Sequence, residues 1–368
     1  MTYMSSIAHP DGPLLYDLLP SLGSHQGVSG FTEDRIGIHP AQRYVVVLVD
    51  GLGWEILLRA AMDAPYLSGL IGDAVKTTVG LPSTTASSLT SLWTGVPAGW
   101  HGVMGFSFRE HLASAELFVP LWADQPIPTA DSVLDWMVTD GVAVSCVVPP
   151  DHVNSGLTAM STQRANLVGV DPADNAGRIA AIASAARAGQ RSLVYVYDSR
   201  LDHDGHKYGV ASDQWRATLT QIDAWLEDLR AGLDDDVRLV VTGDHGMVDV
   251  AEEDRVIIDS EPLLAQGVRL AAGDVRFRHL YTDSPEAVAQ RWRTRLGDQA
   301  TVLTRQEAVA AGLFGTVADR YLHRIGDVVA IPENNQAYLS RTFPGEFHLV
   351  GMHGGTSSAE RYVPVLVD

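Results

Sequence analysis

"RYVVVLVD", residues 43–50, is an apolar, β-branched run that closes on an aspartate. A strand exposed on one face shows a polar residue at every second position. This run shows none, and so reads as a strand covered on both sides. The same texture recurs in "VAVSCVVP" (142–149), "SLVYVYD" (192–198) and "VRLVVTGD" (237–244). Between these runs, "NAGRIAAIASAARAG" and "DQWRATLTQIDAWLEDLRAGL" repeat apolar residues at the three- and four-residue spacing of amphipathic helices. Alternating strand and helix signals predict an α/β fold with a mainly parallel central sheet and helices on both faces.

Residues 1–250 are expected to form this core. From 251 to 345 the strand candidates shorten ("DRVIID", "VRFRHLYT", "ATVLT", "GDVVAIP") around two helices, the texture of a smaller α+β insertion or cap. Residues 346–368, with "FHLVGMHGG" and "YVPVLVD", are expected to return to the core. In open α/β sheets, ligands bind beyond the carboxyl ends of the strands. Asp50, Asp198 and Asp244 close three of the runs, and Asp202 follows just beyond.

Composition narrows the function. The 368 residues carry 26 Lys and Arg against 45 Asp and Glu, a net charge of −19, which argues against broad contact with a nucleic-acid polymer or an anionic membrane. The amino-terminal stretch lacks the basic start, apolar core and cleavage site of a secretory signal, and no run is long enough to span a bilayer, so the cytoplasm is the expected compartment. Cys146, the sole cysteine, lies inside an apolar run and reads as packing; it is not in the Cys-x-Pro-x-Arg setting of a sulfatase.

Five motifs carry chemistry. In "VLVDGLGWE", Asp50 precedes a glycine turn into a helix. "GLPSTTASSLTSLWTGVPAGWHG" (80–102) brings hydroxyls to a helix start, where free N–H groups and the dipole favour an anion. "LDHDGHKYG" (201–209) spaces Asp202 and His206 by four, so one helical turn places both on one face. In "VVTGDHGMVD", the adjacent Asp244 and His245 meet one ion only where the strand has broken into a loop, as Gly246 suggests. "GMHGG" sets His353 between glycines. Each motif alone is ordinary turn or capping chemistry; their conjunction, rich in carboxylate and imidazole, is a metal-ligand pattern.

The ordered set "DG", "PSTTASSLTSLWTG…HG", "DHDGHKYG", "GDHGM" and "HGG" resembles the type I phosphodiesterase/nucleotide pyrophosphatase family of the alkaline phosphatase superfamily, from about residue 43 to 368. The resemblance implies an alkaline-phosphatase-like fold and a binuclear centre of two divalent ions, normally zinc, with manganese the alternative. In that family the nucleophile is a threonine ten residues before the glycine of the following "TG"; counting back from Gly95 gives Thr85, with Thr84 the neighbouring alternative. Carried over by position, Asp50, Thr85, Asp244 and His245 would surround one ion, and Asp202, His206 and His353 the other. His203 and Asp204 gain no ligand role from the match.

The implied reaction is hydrolysis of a phosphodiester or pyrophosphate through a phospho-threonine, on a small diester or nucleotide-like substrate. Family members that hydrolyse nucleotides often carry an aromatic residue beside the nucleophile and an asparagine nearby; here Ala86 and Ser88 stand in those places. Ser88, Phe106 and Trp122 are the candidate substrate-binding residues, with Trp100 a further possible stacking surface. A phosphomonoesterase or phosphomutase is the alternative; it would draw on cations such as Arg276, Arg278 or Arg324, for which a solvated surface position is the plainer expectation. A catalytically silent metal-binding relative is the third reading.

Overall fold

The computed structural model describes residues 12–110, 117–123, 126–127, 129–210 and 212–368. Six strands of the main sheet precede the insertion: β1 (Arg43–Val49), β2 (Val75–Thr78), β3 (Ala143–Val148), β4 (Asn166–Gly169), β5 (Ser192–Asp198) and β6 (Val237–Thr242). The insertion contributes β7 (Leu270–Asp274), β8 (Phe277–Tyr281), β9 (Ala300–Thr304) and β10 (Val328–Pro332), and the chain ends in β11 (Tyr362–Val367). The main sheet has the order β2-β11-β6-β1-β5-β3-β4. β1 lies parallel between β5 and β6, and β3 is parallel to both β5 and β4. Only β11 runs against its neighbours, β6 and β2. The architecture is α/β with a mainly parallel sheet.

The unbroken apolar texture of β1 has a direct cause. Tyr44, Val46 and Leu48 pack into one core layer, while Val45, Val47 and Val49 pack into the other, and all six are buried. The first layer is closed by helix α1 (Thr85–Thr94) through Leu89, Leu92 and Trp93. The second is closed by α2 (Asn175–Ala186) and α4 (Asp213–Gly232) through Ile182, Trp215, Leu219 and Trp225. A buried aliphatic side chain contributes on the order of 2 kcal/mol, so β1 is anchored from both sides. Between α2 and α4, the short helix α3 (Arg200–Tyr208) follows β5.

The inserted strands form a separate antiparallel sheet, ordered β7-β8-β10-β9. Helix α5 (Pro285–Leu296) covers it, with a core of its own around Val288, Trp292, Val302 and Tyr338. Arg276 and Arg278 do not reach solvent as the sequence suggested. Both are fully buried, Arg276 on Glu360 of the core at 2.7 Å and Arg278 on Glu346. Arg324 is likewise buried, its Nε donating to Glu110 at 2.7 Å. The partners lie 68 to 214 residues away in sequence, so no local pattern announces them. A guanidinium leaves water only for such a partner.

Asp198 is also diverted. It lies buried at the end of β5 between Arg178 and Arg200, at 3.0 and 2.7 Å, and these charges hold it below its ordinary value despite burial. Burial pushes the Cys146 thiol up to about 12, which suits packing within β3. No helix among the described residues is long and apolar enough to cross a membrane.

Candidate metal centre

The carboxyl ends of β1, β5 and β6 open on one side of the sheet, and α1 starts beside them. Asp50 follows β1 directly, and Gly51 turns the chain at φ +78°. A side chain at Gly51 would press within 3.2 Å of the Asp202 backbone, so glycine lets this turn meet α3. α3 brings His206 Nε2 to 3.5 Å from Asp202 Oδ2, one helical turn apart. β6 ends at Thr242, and Asp244 and His245 stand in the coil beyond it. Asp244 Oδ1 accepts the Gly51 N–H at 3.1 Å, and its Oδ2 lies 3.7 Å from His245 Nε2.

Thr84 caps α1 in an extended conformation, and Thr85 is the first helical residue. Thr85 Oγ1 lies 3.1 Å from His245 Nε2 and 3.4 Å from each oxygen of Asp50. His353 Nε2 lies 3.3 Å from His206 Nε2 and 3.8 Å from Asp202 Oδ1, and the His353 ring stacks on His245 at 3.7 Å between centroids. The donor atoms of Asp50, Asp202 and His245 fall within 4.8 Å of one another, as do those of Asp202, His206 and His353. Asp202 thus belongs to both groups.

Each histidine is oriented by its far nitrogen. Nδ1 of His206, His245 and His353 contacts the backbone oxygen of Gly351, Gly246 and Ser83 at 2.8, 3.0 and 3.1 Å. A carbonyl only accepts, so Nδ1 carries a proton in all three, and each ring turns its Nε2 inward. The Nε2 atoms of His206 and His353 lie 3.3 Å apart, close enough for both to reach one cation. Asp202 Oδ1 and Asp244 Oδ2 are buried without a hydrogen-bond partner among the described residues. Inward Nε2 atoms and orphaned carboxylate oxygens are a donor set that fits divalent cations.

The electrostatics agree. Burial and the neighbouring Asp50 raise the Asp244 carboxyl well above its ordinary value, and burial raises Asp202 against the pull of His206. Burial alone would raise Asp50 too, but His245 and the Tyr197 hydroxyl hold it low. Burial disfavours charge on His245, yet Asp244 and Asp50 push it up to about 10. Burial, with His245 and His206 nearby, drives His353 well below its ordinary value. A cluster that raises both an acid and a histidine is short of positive charge.

Of the remaining sequence candidates, Ser88 lies one turn into α1, its hydroxyl buried without a hydrogen-bond partner among the described residues. Phe106 packs edge-on against Trp122 and Phe343 at 5.3 and 5.4 Å, and Trp122 is 67 % exposed. His203 faces solvent, and Asp204 accepts from the Thr218 hydroxyl at 2.5 Å. Lys207 lies over the Tyr208 ring on the surface.

Two residues escaped the sequence reading. Tyr197, in the apolar run of β5, donates its hydroxyl to Asp50 Oδ2; its place at the strand's carboxyl end was the available signal. Asp274, from the insertion, accepts the Phe106 N–H at 3.2 Å, and burial raises it to about 6 against the pull of the nearby Thr84 hydroxyl. No motif marks it. A cavity of about 60 Å³ opens beside α1, lined by Leu89, Trp93, Val148, His152, Leu157 and Tyr197 among others.

The fold and the residues at its carboxyl edge define an alkaline-phosphatase-like α/β protein with a candidate centre for divalent cations. The chain belongs to the type I phosphodiesterase/nucleotide pyrophosphatase family, which it matches over residues 44–356. Among solved structures it is similar to murine ectonucleotide pyrophosphatase/phosphodiesterase 5, with a TM-score of 0.70 and 18 % identity over 88 % of this chain and 87 % of that one. An inactive form of the murine protein has been solved in complex with AMP. Phosphonoacetate hydrolase from Sinorhizobium meliloti 1021 is also similar, with a TM-score of 0.65 and 20 % identity over 89 % of this chain and 91 % of that chain. Phosphopentomutase from Shewanella oneidensis is 30 % identical over 115 residues, a match spanning 31 % of this chain and 28 % of that protein.

Proposed function

We propose that this protein is a two-metal phosphodiesterase or pyrophosphatase that works through Thr85 on a small diester or nucleotide-like substrate. The observation that carries the reading is the cluster of Asp50, Asp202, Asp244, His206, His245 and His353, with the Thr85 hydroxyl against Asp50 and His245. Asp50, Asp244 and His245 would hold one cation beside Thr85, and Asp202, His206 and His353 the other. When bound, the two cations supply charge neutralisation and Lewis acidity at the attacking and leaving oxygens.

The chain's own residues perform the rest. Thr85 Oγ1 attacks phosphorus opposite the leaving oxygen, forming a phospho-threonine as the ester bond breaks; water then cleaves that intermediate and restores Thr85. The Ala86 N–H, in the first turn of α1, faces the charge that develops on the phosphoryl oxygens. The Gly246 carbonyl keeps the His245 proton on Nδ1, so Nε2 stays directed at Thr85. The apolar cavity bounded by Leu89 and Tyr197 suits a flat or hydrophobic ester substituent.

The diester is favoured over the monoester by the fate of the arginines. Arg276, Arg278 and Arg324, the cations a dianionic phosphate would draw on, are committed to Glu360, Glu346 and Glu110. The test is hydrolysis of bis-p-nitrophenyl phosphate against p-nitrophenyl phosphate after chelation, with and without restored zinc, in wild type and Thr85→Ala. The expected result is a zinc-dependent diester preference, with turnover falling by at least about 100-fold in the variant. A monoester preference, or undiminished turnover in Thr85→Ala, would overturn the reading.

A further inference from the structure

Asp274 occupies an unusual place. It ends β7 and pairs across the hairpin with Phe277 at the start of β8, so it stands at the tip of the inserted sheet. That tip is wedged between two core loops. A Cβ at Gly105 would lie 2.8 Å from Asp274 Oδ2, and one at Gly354 would lie 2.7 Å from Asp274 Cβ. Both glycines have positive φ, +125° and +116°, so each loop forgoes a side chain where the carboxyl enters.

The carboxylate is buried at 6 % exposure and accepts the Phe106 N–H at 3.2 Å, with the Thr84 hydroxyl near it. Arg278, the nearby cation on the same hairpin, is spent on Glu346 and the Tyr338 carbonyl. Burying a further acid costs stability rather than adding it. What it contributes is position. The turn before Thr85 is bound on one side to the His353 loop: Ser83 N–H donates to the Gly354 carbonyl at 3.2 Å, and Ser83 Oγ donates to that of Gly355 at 2.7 Å. Asp274 packs against Gly354 of that same loop, and so backs the carbonyl that holds Ser83, with the hydroxyl of the next residue, Thr84, near its carboxylate. The hairpin itself is locked by the Arg276–Glu360 and Arg278–Glu346 pairs, so its tip is a rigid stop.

We propose that Asp274 is a positioning residue through which the insertion fixes the turn that presents Thr85 to the substrate. The proposal rests on the reading of Thr85 as nucleophile. An error of about 1 Å in a reacting atom costs up to about 100-fold in rate, which sets the scale of the expected effect.

The test compares wild type, Asp274→Ala, Asp274→Ser and Asp274→Asn, with zinc present, by kcat and KM on bis-p-nitrophenyl phosphate. Melting temperature and amide exchange of the peptides covering residues 82–88 are read in parallel. Asparagine keeps the shape that packs against Gly354 and an oxygen for the Phe106 N–H; alanine keeps neither, and serine is too short. The expected result is a fall of about 10- to 100-fold in kcat with little change in KM for Ala and Ser. Exchange in 82–88 should rise in both, and Asn should restore kcat and protection. Serine carries the comparison if alanine fails to fold. Wild-type kcat in a folded Ala or Ser variant, or an Asn variant as slow as Ala, would overturn the proposal. If Thr85→Ala keeps its turnover, the nucleophile reading fails instead, and unchanged exchange in 82–88 would then still reject the role of Asp274.

Discussion

Tyr197 is the residue whose effect on the centre is most local. Its hydroxyl donates to Asp50 Oδ2, the carboxylate nearest Thr85, and so fixes how Asp50 faces a cation. Tyr197→Phe keeps the ring against the cavity and removes only that bond. Zinc affinity, read by competition with a chromophoric chelator, should fall by about 10-fold or more, with melting in the presence of chelator little changed. Equal affinity in the two proteins would mean that the other contacts of Asp50 suffice to hold it. At this scale the sequence was legible wherever candidate ligands are near in the chain, as in the helical pair Asp202 and His206, which the structure brings within 3.5 Å. It was silent where a donor comes from a residue read as apolar strand, like Tyr197, or from a distant hairpin, like Asp274. Spacing encodes only neighbours along the backbone.

The elements were legible to the degree that each face is buried. β1 shows its two-sided burial in an unbroken apolar run, whereas β11, only partly alike in texture, gives no sign that it slips antiparallel between β6 and β2. The insertion docks by polar contacts that no periodicity reveals, and one of them titrates. His279 in β8 donates from Nε2 to the Met104 carbonyl at 2.7 Å and accepts the Gly326 N–H at Nδ1 at 3.0 Å, so the ring must be neutral. Burial lowers it from 6.5 to about 4. Between those values the unfolded chain binds a proton that the native chain does not. The stabilisation is therefore complete above about 6.5 and is lost as pH falls toward 4. It amounts to about 2 kcal/mol between pH 7 and 5. His279→Leu, though less stable throughout, should show a correspondingly smaller loss between those pH values in denaturant titrations. Parallel pH profiles would show that the ring is not held neutral.

For the molecule as a whole, an excess of acidic groups converges on the cation centre, and this makes stability depend on what occupies it. Asp50, Asp202 and Asp244 meet at the sheet's carboxyl edge with the Asp244 carboxyl driven well above its ordinary value by burial and by Asp50. Without cations, these acids either repel or take up protons at a cost; as proposed ligands they would be relieved by cations. Chelation should therefore lower the melting temperature, since ions at 100-fold above their dissociation constant contribute about 2.7 kcal/mol per site. Asp244→Asn should reverse sign between the two states. In chelator it removes a buried, strained acid and should melt above wild type; in zinc it removes a ligand and should melt below. The measurement is thermal unfolding of both proteins with chelator and with zinc at pH 7. If Asp244→Asn shifts melting in the same direction in both conditions, Asp244 acts as a packing residue and not as a ligand. Crossed shifts would instead tie the burial of this acid to the ion it holds, because only a group whose penalty is relieved by a cation changes sign when the cation is withdrawn.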